Sequence, residues 1–599
     1  MSSFWIHPAF IVLLGAALLP LVPERLRKAW LLLIPSLAFV RTLLLTPGTF
    51  GEVQFLQWML TFGRVDKLSL VFGYIMTLMA ILGTLYGLHV KRVAEHIAAW
   101  TYVGGSLGAI YAGDLLTLFL FWELMALSSV FLIWFRGRPE SLGAGYRYLL
   151  VHMAGGVSLL AGILLHYQAT KSLAFVAFDV DHPTLATYLV MLGFILNAAV
   201  PPLHAWLPDA YGEATFNGSV FLCAFTTKTA VYALCRGLPG LDILVPLGVI
   251  MAIYGVIYAV LENDSRRLLA YHIISQVGYM VAGVGLADLN TPVGQLALNG
   301  VCAHAFAHIL YKGLLFMGCG TVLHMTGESR FTQLGGLYSK MPWTFVFTLI
   351  GGLSISAFPL FSGFVSKSMI VAAGFESHKL WAGFGLMLAS SGTFLHTGLK
   401  VPYFIWFGKN HCSKEIWERA KDPGWNMNAA MAITSVLCVF IGCYTPYLYA
   451  MLPFQPVGFH PYTSYHISET MQVLLFTALG FFLFVKQLAP EPTISLDMDW
   501  FYRMGGRAFL WLVKYPLQFI DTAVGEIYRL GGLLPLKFTA WLVGLFDNYV
   551  IDGIVDGFAA TIRSVGSRLR VAQRGSVQEN LTLVFAVAVI LILAFLFLF

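Results

Sequence analysis

GVCAHAFAHILYKGLLFMGCG, residues 300–320, is apolar enough for hydrocarbon, yet it carries His304, His308 and Lys312. On an α-helix, positions i, i+4 and i+8 drift only slowly around the axis, so the three side chains form one stripe. At about 1.5 Å per residue that stripe runs roughly 12 Å, a large part of a bilayer's thickness. Ionisable groups are costly at such depth and face a bundle interior or a hydrated path. A single buried histidine is commonly just a satisfied core residue. Two imidazoles and an amine one turn apart read as stepping stones for a proton.

The rest of the chain supplies the membrane. Of its 599 residues, 58% are hydrophobic and 11% charged, against about 25% charged in soluble domains. Runs long enough to cross occur at about sixteen places. They lie near residues 5–22, 29–46, 68–90, 97–113, 115–135, 145–168, 185–210, 216–236, 242–262, 268–288, 295–325, 342–374, 380–408, 426–447, 469–487 and 580–599, numbered here as spans 1–16. The predicted fold is all-α and polytopic. The first run lacks a basic leader and is followed by Arg25, Arg27 and Lys28, so it reads as a retained span. Basic loops follow odd-numbered spans, at Lys91/Arg92, Arg136/Arg138 and Lys409/Lys414/Arg419/Lys421 as well. That asymmetry puts the N-terminus outside the cytoplasm of a prokaryotic inner membrane. The net charge of +6 then needs no nucleic acid. The cysteines form no CxxC pair and join no histidine at zinc-ligand spacing, and no glycine-rich phosphate cradle is present. Neither metal nor cofactor is expected.

Two spans are interrupted. Span 7 reads LGFILNAAVPPLHAWLPDA, with Pro201 and Pro202 mid-segment, and span 12 carries Pro359 between LSIS and FSGF. Proline removes a donor and frees carbonyls, so each helix should break. If spans 4–8 (residues 97–236) and spans 9–13 (residues 237–410) are five-helix units, each break falls in the fourth helix. An odd number of crossings inverts the second unit, the pattern of inverted-repeat transporters. Spans 1–3 (residues 1–96) precede these units and spans 14–15 (residues 411–497) follow them. More ionisable groups lie within the spans: Glu123 on span 5, Lys228 on span 8 and Lys367 on span 12. His204 past the first break, His272 entering span 10, and His396 and Lys400 on span 13 are further candidates for a relay or its exit.

FWELM on span 5, PLHAWLPDA on span 7, TTKTAVYAL on span 8, RRLLAYHIISQVGY on span 10, HAFAHILYKGLLF on span 11 and FPLFSGFVSK on span 12 occur in one order. In that order and spacing they resemble the antiporter-like subunits of respiratory complex I and of Mrp-type cation/proton antiporters. The resemblance covers about residues 70–410. It implies two inverted five-helix repeats around a hydrophilic axis. It also implies proton transfer through Glu123, Lys228, His304, His308, Lys312 and Lys367. Where most relatives carry a helix 7 lysine this chain has Asn197, which can orient water but cannot hold a positive charge. Lys228 is then the nearest candidate partner for Glu123.

Residues 498–579 differ in character. Apolar residues recur every three or four positions with Asp and Arg between them, as in an interfacial amphipathic helix. About 30 such residues would span roughly 45 Å. Arg563, Arg568, Arg570 and Arg574 cluster near the end, before the final span at 580–599. VIDGIVDG and RVAQRGSVQENL resemble the tail of the largest complex I antiporter-like subunit, where a lateral helix contacts neighbouring subunits; the core looks closer to the D-type Mrp branch. The expected function is vectorial movement of protons within a membrane assembly, with no covalent chemistry on this chain. Rival readings are a Na⁺/H⁺ or K⁺/H⁺ antiporter subunit, an energy-coupling subunit for inorganic carbon uptake, and a non-conducting scaffold. Hard cations prefer oxygen ligands, and the central row is nitrogen-rich.

Overall fold

A computed structural model of the chain describes residues 5–493, 496–572 and 575–598. The chain is mostly helical. Among the described residues, 11 helices are long and apolar enough to cross a membrane. Three shorter apolar helices accompany them, Pro8–Leu21, Leu185–Asn197 and Pro342–Ile355. The last two are the first halves of spans 7 and 12, cut short by the breaks. The chain divides into two compact units, one up to Asp499 and one from Trp500 onward.

Among the described residues one element, a two-stranded hairpin, is not helical. Between spans 2 and 3, β1 (Gly48–Phe55) pairs antiparallel with β2 (Trp58–Val65), with Phe55 opposite Trp58. The all-α expectation has no place for this hairpin, whose turn at Leu56–Gln57 lacks the usual Asn-Gly signal. It is tied to the bundle. Thr61 donates its backbone N–H to Asp114 (2.7 Å), and the same carboxylate caps span 5 by accepting from the Thr117 N–H (2.7 Å) and hydroxyl (2.6 Å).

Both expected breaks are present, and their backbones match. Span 7 consists of Leu185–Asn197 and Trp206–Glu213; span 12 consists of Pro342–Ile355 and Ser362–Glu376. At the first break Ala199 is left-handed (φ 61°), Val200 N–H donates to Ile195 O (3.1 Å) and Ala199 N–H to Leu196 O (3.1 Å). At the second, Ala357 has φ 58°, Phe358 N–H donates to Leu353 O (3.1 Å) and Ala357 N–H to Ser354 O (3.2 Å). These are two copies of the Schellman helix end. In each, a proline follows the left-handed alanine by two residues, Pro201 and Pro359. The two units therefore correspond residue for residue at their breaks, with Asn197 matching Ile355.

Two further spans are irregular, span 8 with no proline at its irregular point and span 13 with Pro402 between its two wide turns. Span 8 changes direction at Phe225, between Gly218–Ala224 and Thr226–Gly237. Span 13 widens into π-turns at Phe394–Lys400 and Tyr403–Phe407. The ends of spans 3, 5 and 11 meet around one cavity of about 470 Å³, lined by Lys91, Arg92, Arg136, Arg138, His324 and Gly327. Three odd-numbered spans thus end on one face.

The second unit is longer than its sequence suggests. From Asp499 to Val571 the chain is one helix of 73 residues, about 110 Å at the usual rise, not about 30 residues. Pro516 and the Gly531–Gly532 pair do not stop it. They fall in wide turns at Val513–Leu517 and Arg529–Leu533, where one extra residue absorbs a misfit. Large apolar side chains such as Phe509, Trp511, Phe519, Ile527 and Phe538 are exposed along it. Arg563, Arg568 and Arg570 lie toward its end, Arg574 lies outside the described residues, and Val577–Leu598 forms a second helix.

A left-handed backbone costs an L-residue roughly 1–2 kcal/mol. Ala199→Gly and Ala357→Gly should each raise the melting temperature of the purified protein, and the β-branched Ala357→Val should lower it. Unchanged melting in all three would mean that the breaks carry no such strain.

Candidate functional site

Four lysines lie buried in the apolar spans, and three of them sit on the free carbonyls of a helix end. The change of direction at Phe225 releases the Cys223 carbonyl, and the Lys228 amine donates to it (2.6 Å) and to the Thr227 hydroxyl (3.0 Å). The second break releases the Ile355 carbonyl, which accepts from Lys367 (3.1 Å). The end of the Leu244–Leu261 helix offers Val260 O (2.6 Å) and Glu262 O (3.0 Å) to Lys400. Helix C-termini carry about half a negative charge, so each end is a seat for an ammonium. Lys312 is the exception: its amine donates to Leu269 O of the Ser265–Gly285 helix (2.9 Å).

The stripe on span 11 is continuous and fully buried, on a single helix from Pro292 to Thr326. The His304 and His308 rings lie 6.2 Å apart. His304 Nδ1 is 3.2 Å from the Ser366 hydroxyl, and the Tyr311 hydroxyl is 3.5 Å both from His304 Nε2 and from Gln276 Oε1. Gln276 in turn donates to Thr393 (3.3 Å). Lys367 lies over the Tyr279 ring at 5.0 Å, and that ring is 5.9 Å from His304. His272 and His396 face each other at 5.6 Å. The structure therefore brings His304, His308, Lys312, Lys367, His272, His396 and Lys400 into one buried polar row. Among the described residues, both nitrogens of His308 and of His272, and Nδ1 of His396, have no hydrogen-bonding partner. Such groups are costly unless hydrated.

The first unit is sparser. Glu123 is half-buried, its Oε1 lacks a hydrogen-bond partner, and it packs so closely on Gly156 that a Cβ there would overlap it. Asn197 is fully buried with neither amide atom partnered. Among the described residues no ion pair joins Glu123 to Lys228, whose amine is engaged at Cys223 and Thr227. His204 pairs instead with Asp497.

A cavity of about 640 Å³ opens beside Lys367, lined also by Phe364, Ser390, His460, His466 and Glu469. His466 stacks on Phe364 at 4.7 Å, with Nδ1 3.7 Å from Glu469. Sequence reasoning missed Gln276, Tyr279, Tyr311 and Ser366. Each is a polar group inside a span already read as part of the path, which was the available signal. It also missed Asp497, which no local pattern marks.

Residues 112–395 match the family described as NADH:quinone oxidoreductase/Mrp antiporter, transmembrane. The Na⁺/H⁺ antiporter subunit A1 of Staphylococcus haemolyticus (strain JCSC1435) is 29% identical over 592 residues, covering 88% of this chain and 73% of that one. Over these stretches the chain is similar to antiporter-like membrane subunits. Hydrogenase-4 component B of Escherichia coli (strain K12) is 30% identical over 419 residues, 63% of this chain and 62% of that one. The chain thus spans less than two thirds of that second relative. A chain of the membrane-bound sulfane sulfur reductase, an archaeal respiratory membrane complex, shares the fold at TM-score 0.69 and 22% identity, over 98% of this chain and 99% of that one. The first relative carries the name subunit A1, which differs from the D-type branch expected from the core motifs. The similar proteins are subunits of membrane assemblies, and the long apolar helices of this chain agree with a membrane location.

Proposed function

We propose that the chain carries protons across a prokaryotic inner membrane as one subunit of a larger assembly, with its N-terminus outside the cytoplasm. The observation that carries this reading is the row of buried titratable groups, together with three lysines, Lys228, Lys367 and Lys400, that rest on helix-end carbonyls. A lysine so placed holds its proton without a fixed counter-ion and gives it up when a neighbour becomes charged. Glu123 and Lys228 serve the first unit. His304, His308 and Lys312 form the centre, Lys367 serves the second break, and His272, His396 and Lys400 branch toward the face where the basic loops lie. Unpartnered nitrogens of His308, His272 and His396 mark the points that water completes. The names of the two relatives, an Na⁺/H⁺ antiporter subunit and a hydrogenase component, fit a part that moves ions while its partners supply the driving reaction. Na⁺ is the second reading, favoured by the first relative's name. The central row offers Na⁺ mostly nitrogen where oxygen is preferred.

Lys312→Met and Lys367→Met should each abolish proton uptake into membrane vesicles, followed with a pH-sensitive dye, while the protein still inserts at normal levels. Undiminished flux in either variant would remove that residue from the path.

The 73-residue helix exposes an apolar stripe that its own unit does not cover. We assign it to a neighbouring antiporter-like subunit, with Val577–Leu598 as the membrane anchor. Deleting residues 498–599 should leave an inserted core that no longer co-purifies with its partners in mild detergent. Recovery of the complete assembly on the truncated chain would show that the helix contacts lipid alone.

A further inference from the structure

The first break lacks an ammonium where the second has one. Ile355, whose carbonyl seats Lys367, corresponds to Asn197, and among the described residues no lysine amine donates to the Asn197 carbonyl. The ionisable group at the first break is His204. It is fully buried just past Pro202, and its Nε2 lies 3.2 Å from Asp497 Oδ1. Asp497 lies near the end of the compact body that runs to Asp499, 293 residues on, and is itself 5% exposed. Its carboxylate also accepts hydrogen bonds from the hydroxyls of Tyr254 on span 9 and Tyr271 on span 10. The adjacent Tyr258 hydroxyl holds the Leu496 carbonyl at 3.1 Å.

These contacts do more than fasten a segment. Two tyrosines and a backbone bond suffice for an anchor, and an apolar residue at 204 would leave nothing unsatisfied. Instead His204 turns one nitrogen to the carboxylate and leaves Nδ1 buried with no partner among the described residues. An imidazole with a carboxylate on one side and a free nitrogen on the other is built to take up and pass a proton. The groups facing the pair are Tyr254 and Tyr258 from span 9 and Tyr271 from span 10. Beyond Tyr271, Glu262 and Arg267 are paired with each other at 3.2 Å. Tyr271 lies two residues from Leu269, the carbonyl that seats Lys312. The pair therefore adjoins the central row.

We propose that His204 and Asp497 form the proton-exchange port of the first break, opening on the face where Glu262 and the basic loops lie. The port rests on the relay reading. When His204 gains a proton, the imidazolium is balanced by the Asp497 carboxylate; when Nδ1–H is released inward, the pair returns to a single negative charge. Asp497 holds the imidazolium, and His204 carries the proton. The test uses the full-length chain in native membrane vesicles, with proton flux normalised to folded protein and followed across about pH 5 to 8, where histidine titrates. Asp497→Asn and His204→Gln should each cut flux by roughly tenfold or more. They should flatten its pH profile, and the double variant should be no worse than either, as for groups acting as one unit. Asp497→Glu should restore most of the flux. Normal flux with an unchanged pH profile in Asp497→Asn overturns the port. So does a loss explained wholly by less folded protein with the profile intact, which is the outcome for an anchor. Should Asp497→Asn fail to fold, Tyr271→Phe keeps the carboxylate and removes one donor; the port requires a shifted profile, and an unshifted one contradicts it. Wild-type vesicles that move no protons would instead overturn the relay reading beneath it.

Discussion

An ammonium deep in apolar surroundings needs an acceptor, and in a helical membrane protein nearly every carbonyl is already taken by its own helix. The exceptions are helix ends. This chain makes ends inside the membrane, at the breaks of spans 7 and 12 and at the change of direction in span 8. It sets Lys228 and Lys367 on the carbonyls so released. Lys400 uses the natural end of span 9. None of the three requires a carboxylate partner in the membrane, so each amine is held by dipoles that survive loss of its proton. That suits a group whose charge must change during the work.

The breaks also show how the two halves of the core are related. Both end in the same Schellman geometry, both place an alanine where glycine is the comfortable residue, and both follow it with a proline two positions on. The side chains around this shared frame differ. The second break has an amine over its last carbonyl and a cavity beside it; the first has Asn197, with His204 and Asp497 below it. One backbone device thus holds two different ionisable sets, and the ionisable sets differ while the backbone does not.

Much of this was legible from residues in order. Proline inside an apolar run is an unambiguous obstacle to a helix, so Pro201, Pro202 and Pro359 located both breaks. Spacing of four put His304, His308 and Lys312 on one stripe, because helical phase is local. What escaped was set by long-range contact or by compensation. The kink at Phe225 has no proline to announce it. Asp497 reaches His204 across the whole core, which no spacing rule encodes. The hairpin at Gly48–Val65 turns on Leu56–Gln57, without a turn signature. The long helix was underestimated at about 30 residues; it runs on through Pro516 and Gly531–Gly532 because wide turns absorb them.

The central claim is that the lysines carry the proton and do more than supply charge. Lys367→Arg separates the two roles, since guanidinium keeps its charge at any working pH and cannot pass the proton on. The cavity beside Lys367 leaves room for the larger group. Proton flux in vesicles holding the intact assembly is the measurement. Loss of flux in a folded, assembled Lys367→Arg protein is the predicted result; flux equal to the wild type would contradict the account.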